Sequence, residues 1–261
     1  MAAGRPRHIA TEQQTFEEVL SLVPRKQRHA AALMARLKNA VEIAGDAIIL
    51  EIGAASGGLL LPLGELGYRC IGVEPTPTAR ANARRLAQHL AVPITIVAGV
   101  AESLPFKDGQ FDVVLADTVI EHVLDVERAF SEACRVLRAG GVFWFYTASS
   151  LCPYQYEIRR FPLFPWYPDR LKRRIMEWTK VHRPELVGHT TTPAINWFTP
   201  WKARRLLREA GFREVYDRWD IRARVHPKDV KARVARLVCS MTITRAVADV
   251  FVPDCSYAAI K

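Results

Sequence analysis

The sequence predicts an α/β fold in which a mostly parallel sheet carries helices on both faces. An N-terminal helical cap over residues 1–44 precedes it, and a lid insertion follows the fifth strand at about residues 148–198. Three observations lead there. Apolar runs of strand length alternate with stretches of helical period. The first of these runs ends in a glycine-bearing turn. A long segment rich in proline and aromatic residues separates the fifth strand from the next helix, and such segments are usually lids or binding elements.

Taken in order, helical sequence around residues 26–41 forms the cap, and AIILEI (47–52) is the first strand, closed by Gly53. A helix over about 57–66 leads to a strand at 69–73 that ends at Glu74, completing a β-α-β unit. A helix at 78–90, a strand at 93–97, the buried strand 111–116, a helix at 126–137 and a strand at 142–147 follow. Beyond the insertion, Thr199-Pro200 reads as an N-cap with proline at the first helical position, and that helix stops at Gly211. A strand at 214–219, a basic helical segment at 228–250 and a last strand near 256–260 close the 45–261 domain.

The chemistry begins at Glu51-Ile52-Gly53-Ala54-Ala55-Ser56-Gly57-Gly58, where a strand turns into a helix. A dinucleotide site needs a glycine at the middle position of this turn so that a pyrophosphate can approach; here Ala55 stands there. A carboxylate at Glu51 would repel a pyrophosphate but favours the cationic amino and sulfonium side of S-adenosylmethionine. Glu74, at the end of the second strand, can accept both hydrogen bonds of a ribose diol.

Together with VAESLPFKDGQFDVV (100–114) and IEHVLDVERAFSEACRVLRAGG (120–141), the blocks ILEIGAASG (49–57) and GVEP (72–75) resemble the class I S-adenosylmethionine-dependent methyltransferases of the methyltransferase 11 type. The resemblance spans about residues 46–147. It implies a Rossmann-like, seven-stranded sheet, with S-adenosyl-L-methionine as cofactor and S-adenosyl-L-homocysteine as product. The turn residues Glu51, Gly53, Ala54, Ala55 and Gly57 would hold the methionine portion, and Glu74 followed by Pro75 the ribose. Ala101 and Glu102 would line the adenine, with Asp117 and Thr118 completing the set. The second glycine usual in the turn is Ala55, which is tolerable if its φ stays below zero. The acid common before the adenine-loop alanine is Val100.

After the fourth strand, Asp117-Thr118-Val119-Ile120-Glu121-His122 occupies the end of the sheet where ligands bind. His122 is a candidate general base, since a neutral imidazole can take a proton from a hydroxyl near neutral pH. Asp117, Glu121 and His122 could alternatively ligate a divalent metal, or the Glu-His pair could simply pack beside the cofactor. In the insertion, residues 169–183 read as a helix with Leu171, Ile175 and Trp178 on one face and Arg170, Lys172, Arg173, Arg174 and Lys180 around the others. As a lid it would bring Tyr154, Tyr156, Trp166, His189, Asn196 and Trp197 to a substrate. As an interfacial element it would touch acidic lipid.

The expected activity is methyl transfer to a hydroxyl of a small-molecule or glycan-like intermediate. RNA methylation and a catalytically idle cofactor-fold protein are the alternatives. The formal charge of +10 lies wholly after residue 150: residues 1–150 hold 15 basic against 16 acidic side chains, and residues 151–261 hold 22 against 11. A basic surface suits an anionic acceptor or an acidic membrane. No helix-turn-helix signature supports nucleic acid, nor does an Asn/Asp-Pro-Pro-aromatic stretch after the fourth strand. Five scattered cysteines without a C-x-x-C pair argue against a disulfide framework or zinc. With no secretory pattern and no spanning segment, the expected location is cytoplasmic, with peripheral membrane contact as a variant.

Overall fold

The computed structural model describes residues 15–153, 158, 160–187, 194–225 and 229–261. Seven strands form one sheet in the order β3-β2-β1-β4-β5-β7-β6. They are β1 (Ile48–Ile52), β2 (Arg69–Val73), β3 (Thr95–Val97), β4 (Phe111–Asp117), β5 (Leu137–Ala148), β6 (Glu214–Asp217) and β7 (Asp254–Ile260). The first five are parallel, and β7 runs antiparallel between β5 and β6. Strand order reverses between β1 and β4, so a crevice opens at their carboxyl ends, where open α/β sheets bind ligands.

Both faces of the central strands are buried, which is why those strands read as continuous apolar runs. Leu50, Ile52, Val114, Ala116, Phe143 and Phe145 pack on one face. Ile49, Val113, Leu115, Val142 and Trp144 pack on the other. Glu51 falls between Leu50 and Ile52, so alternation sends its carboxylate to the second face, under the N-terminal helix.

That helix, α1 (Phe16–Leu37), lies within the expected cap and begins ten residues before the helical stretch read at 26–41. Its start is a capping box: the Thr15 hydroxyl accepts from the Glu18 amide, and the Glu18 carboxylate accepts from the Thr15 amide at 2.8 Å. The next two helices are α2 (Leu60–Glu65), shorter than expected, and α3 (Pro77–Leu90); α4 (Val126–Val136) precedes β5. α5 (Asp169–His182) lies in the insertion, and α6 (Pro200–Glu209) has its Thr199 cap as expected.

Two expectations fail for local reasons, and α5 adds an unexpected burial. Trp219 is not in a strand, because the Asp217 carboxylate accepts from the amides of Trp219 and Asp220 and starts α7 (Arg218–Ala223). The basic segment is two helices, α8 (Val230–Ser240) and α9 (Thr242–Val250), parted by Met241 in extended conformation. On α5 the buried residues are Lys172, Met176 and Thr179, whereas Leu171 and Trp178 are exposed. Lys172 can turn inward because its ammonium meets Asp169 at 2.8 Å and the Pro165 carbonyl at 3.3 Å, above the Trp197 ring at 4.1 Å.

Candidate functional site

The turn after β1 is built on left-handed backbone. Gly53 has φ +68° and Gly57 φ +78°, and a Cβ on Gly53 would stand 2.4 Å from Val119 Cγ2, so only glycine fits there. Ala55 also lies in the left-handed region, at φ +47°, which overturns the expectation of a negative φ. What holds it is Glu74: one carboxylate oxygen accepts from the Ala55 amide at 3.0 Å and the other from the Thr76 amide at 2.8 Å. The acid at the end of β2 thereby ties the two loops of the crevice together. Pro75 gives its carbonyl to the Arg80 guanidinium at 2.7 Å.

Glu51 is buried beside this turn, and its Oε2 has no hydrogen-bond partner. Burial pushes its carboxyl well above the ordinary glutamate range, while Lys26 of α1 pulls the other way. Lys26 lies directly over the turn, since a Cβ on Gly58 would stand 3.3 Å from its Cε. An unpaired carboxylate oxygen in a buried crevice calls for a cationic donor. The ammonium of a methionine moiety is such a donor, so the residues present fit the expected cofactor.

At the end of β4, Asp117 meets His29 of α1 at 3.0 Å. Thr118 is held at φ +58°, its amide donating to the Tyr146 carbonyl at 2.9 Å. Left-handed backbone at a β-branched residue is costly, and such positions cluster at functional sites. Tyr146 stands across from Asp117 in the sheet. Burial, then the carboxylates of Asp254 and Asp117, pushes its phenol up to about 12, so it remains a neutral donor at ordinary pH. His122 Nε2 lies 3.9 Å from Glu121 Oε1.

The other expected residues take defined places. Ala101 is buried, and the Glu102 carboxylate accepts from the Leu124 amide at 2.8 Å, anchoring the loop after β4. Asn196 donates its side-chain amide to the carbonyls of Val123 at 2.7 Å and Ile120 at 3.3 Å, while the Ile195 and Asn196 backbone amides donate to the Glu121 carbonyl. Trp197 is buried under Lys172, and the half-exposed Trp166 donates its indole N–H to the Leu151 carbonyl at 2.9 Å. Tyr154, Tyr156 and His189 lie outside the described residues. Among the described residues no group of three His, Cys, Asp or Glu side chains is placed to hold a metal ion, so Asp117, Glu121 and His122 are not brought together as a ligand set. His29, Lys26 and Tyr146 join the site without having been singled out in the sequence. They reach it from a helix face and a strand neighbour that no local motif marks.

Residues 50–145 match the methyltransferase 11 family model, described as a methyltransferase domain. A ubiquinone biosynthesis O-methyltransferase of Methylobacterium sp. (strain 4-46) is 35% identical over 96 residues, covering 37% of this chain and 39% of that relative. A malonyl-[acyl-carrier protein] O-methyltransferase of Geobacter sulfurreducens is 30% identical over 146 residues, covering 55% and 48%. The matches therefore span less than half of these relatives' lengths. The fold is similar to that of YcgJ from Bacillus subtilis, with TM-score 0.54 and 19% identity over 90% of this chain and 98% of that one. It is similar also to Haemonchus contortus phosphoethanolamine N-methyltransferase 2, with TM-score 0.59 and 15% identity over 95% of this chain and 58% of that one. From the glycine turn into the fifth strand, residues 50–145 are thus similar to the methyltransferase domain of the methyltransferase 11 family.

Proposed function

We propose that this chain transfers the methyl group of S-adenosylmethionine to a hydroxyl oxygen of a small biosynthetic intermediate. The observation that carries the reading is the unpartnered, buried Glu51 oxygen beside a left-handed turn that Glu74 braces. Glu51 would take the cofactor's ammonium, the turn amides its carboxylate and Glu74 its ribose diol. When bound there, the cofactor supplies a methyl group already activated on a sulfonium. What the protein must add is alignment of the acceptor behind that methyl and exclusion of water. His122, beside Glu121, would take the acceptor's proton. Oxygen as acceptor atom is supported by the O-methyltransferase names of the sequence relatives.

Residues 148–198 would cover the acceptor, a role supported by the way Ile195 and Asn196 fasten onto the loop after β4. The exposed Arg170, Arg173 and Arg174 of α5 favour an anionic acceptor. Exposed Leu171, Trp178 and Val181 on the same helix favour a second role for it, contact with an acidic membrane surface.

One experiment separates the roles. Glu74→Ala should weaken S-adenosylmethionine binding by about tenfold or more, as loss of charge-assisted hydrogen bonds does. His122→Asn should leave that affinity in place and lower turnover about a hundredfold or more. Unchanged affinity in the first variant would remove the ribose assignment, and unchanged turnover in the second would remove the base.

A further inference from the structure

The α8–α9 pair meets the body of the protein through two alanines and a few engaged polar side chains, and leaves its larger apolar side chains exposed. On α8 the inward residues are Ala232 and Ala235, and the Arg236 guanidinium is spent on the carbonyls of Ala223 at 3.0 Å and Val225 at 2.7 Å. On α9, Arg245 is bound to Asp217 and Asp220, and Asp249 accepts from the Trp219 indole at 2.8 Å. Asp229, at the head of α8, caps the Ala232 amide. Of the pair's two acidic side chains, Asp249 thus holds α9 to the body of the protein and Asp229 caps its own helix.

The outward face is the opposite. Val230, Val234 and Leu237 fall at spacings of four and three, one stripe along α8, and all are exposed, Leu237 by 67%; Met241, just past the helix, is exposed too. Ile243 and Val247, four apart on α9, and Phe251 just past its end are exposed by 76%, 54% and 77%. The helix α9 buries no residue. Lys231 and Arg233 flank the α8 stripe on either side, both exposed. Large apolar side chains left exposed in such number on two helices that pack together mark an interaction site. Lys231 and Arg233 make its rim cationic, and Asp229, exposed at the head of α8, is engaged as that helix's cap.

We propose that the α8–α9 face docks this protein on an anionic lipid bilayer, its apolar stripe entering the headgroup–acyl boundary and its lysine and arginine meeting acidic headgroups. Charge decides the occupant. A second copy would set Lys231 and Arg233 against cations of the same sign, whereas an acidic bilayer complements both the rim and the stripe. The inference stands apart from the methyl-transfer reading, because it rests on a surface built from the tail of the chain.

The test is flotation of the full chain with vesicles of phosphatidylcholine alone and of phosphatidylcholine mixed with phosphatidylglycerol. The expected result is binding to the mixed vesicles that weakens as salt is raised. Leu237→Ser combined with Phe251→Ser should cut the partition coefficient at least about tenfold, and Lys231→Gln with Arg233→Gln by about tenfold to thirtyfold. The substituted residues are exposed, so circular dichroism and S-adenosylhomocysteine affinity should be unchanged, which keeps this test distinct from that of the cofactor site. Equal binding to neutral vesicles would overturn the proposal. So would undiminished binding of the α8–α9 variants when Leu171→Ser with Trp178→Ser in α5 abolishes it. Self-association in sedimentation that these substitutions abolish, without vesicle binding, would replace the bilayer with a second copy.

Discussion

At the scale of the residue, Glu51 carries the clearest electrostatic consequence. Its carboxyl is raised by burial, so the folded chain holds a proton that the unfolded chain, with a glutamate near the ordinary value of about 4.3, has already released. Folding therefore loses stability as pH rises from that ordinary value up to the raised one. Glu51→Gln should flatten this slope in denaturant titrations at several pH values and weaken binding of the cationic cofactor about tenfold or more. A cation arriving beside Glu51 favours its ionised form, so cofactor binding to the native protein should release a proton and tighten with pH across the same window. A slope that persists in the glutamine variant would place its origin elsewhere. Glu51, Gly53, Glu74 and Asp117 were legible in the sequence because a glycine turn and strand-terminal acids announce themselves locally. The left-handed Ala55 was not, since its conformation depends on the Glu74 carboxylate nineteen positions on, which accepts from its amide.

At the scale of the element, the loop after β4 is held from two directions. Glu102 grips its Leu124 amide, and Asn196 caps its Ile120 and Val123 carbonyls from the far end of the insertion. Asn196→Ala leaves those carbonyls without their donor and should cost about 1–3 kcal/mol in denaturant unfolding. It should also lower turnover more than cofactor affinity, because His122 sits on that loop; equal, small losses in both would make Asn196 a purely structural pin. The strands were readable because burial on both faces leaves an unbroken apolar signature. Helix α5 was readable as a helix but not for its orientation. Periodicity alone favours burying Leu171 and Trp178, and only the tertiary partners Asp169, Pro165 and Trp197 let Lys172 take the inside instead. The start of α1 was missed although Thr15-x-x-Glu18 is a capping box on the page of the sequence. His29 could be found only through the fold, which brings it 3.0 Å from an aspartate in a distant strand.

At the scale of the whole molecule, one division organises the chain. The first part supplies the crevice and matches a known domain through residue 145, while the remainder supplies the insertion after β5, the strands β6 and β7 and all of the excess positive charge. Among the described residues no helix is long and apolar enough to cross a membrane. The central claim concerns the crevice: a carboxylate at Glu51 selects S-adenosylmethionine over a dinucleotide. Calorimetric titration of the full chain with S-adenosylmethionine, S-adenosylhomocysteine and NAD tests it most directly. The account predicts saturable binding of the first two at the same site and none of NAD; binding of NAD, or of none of the three, would contradict it.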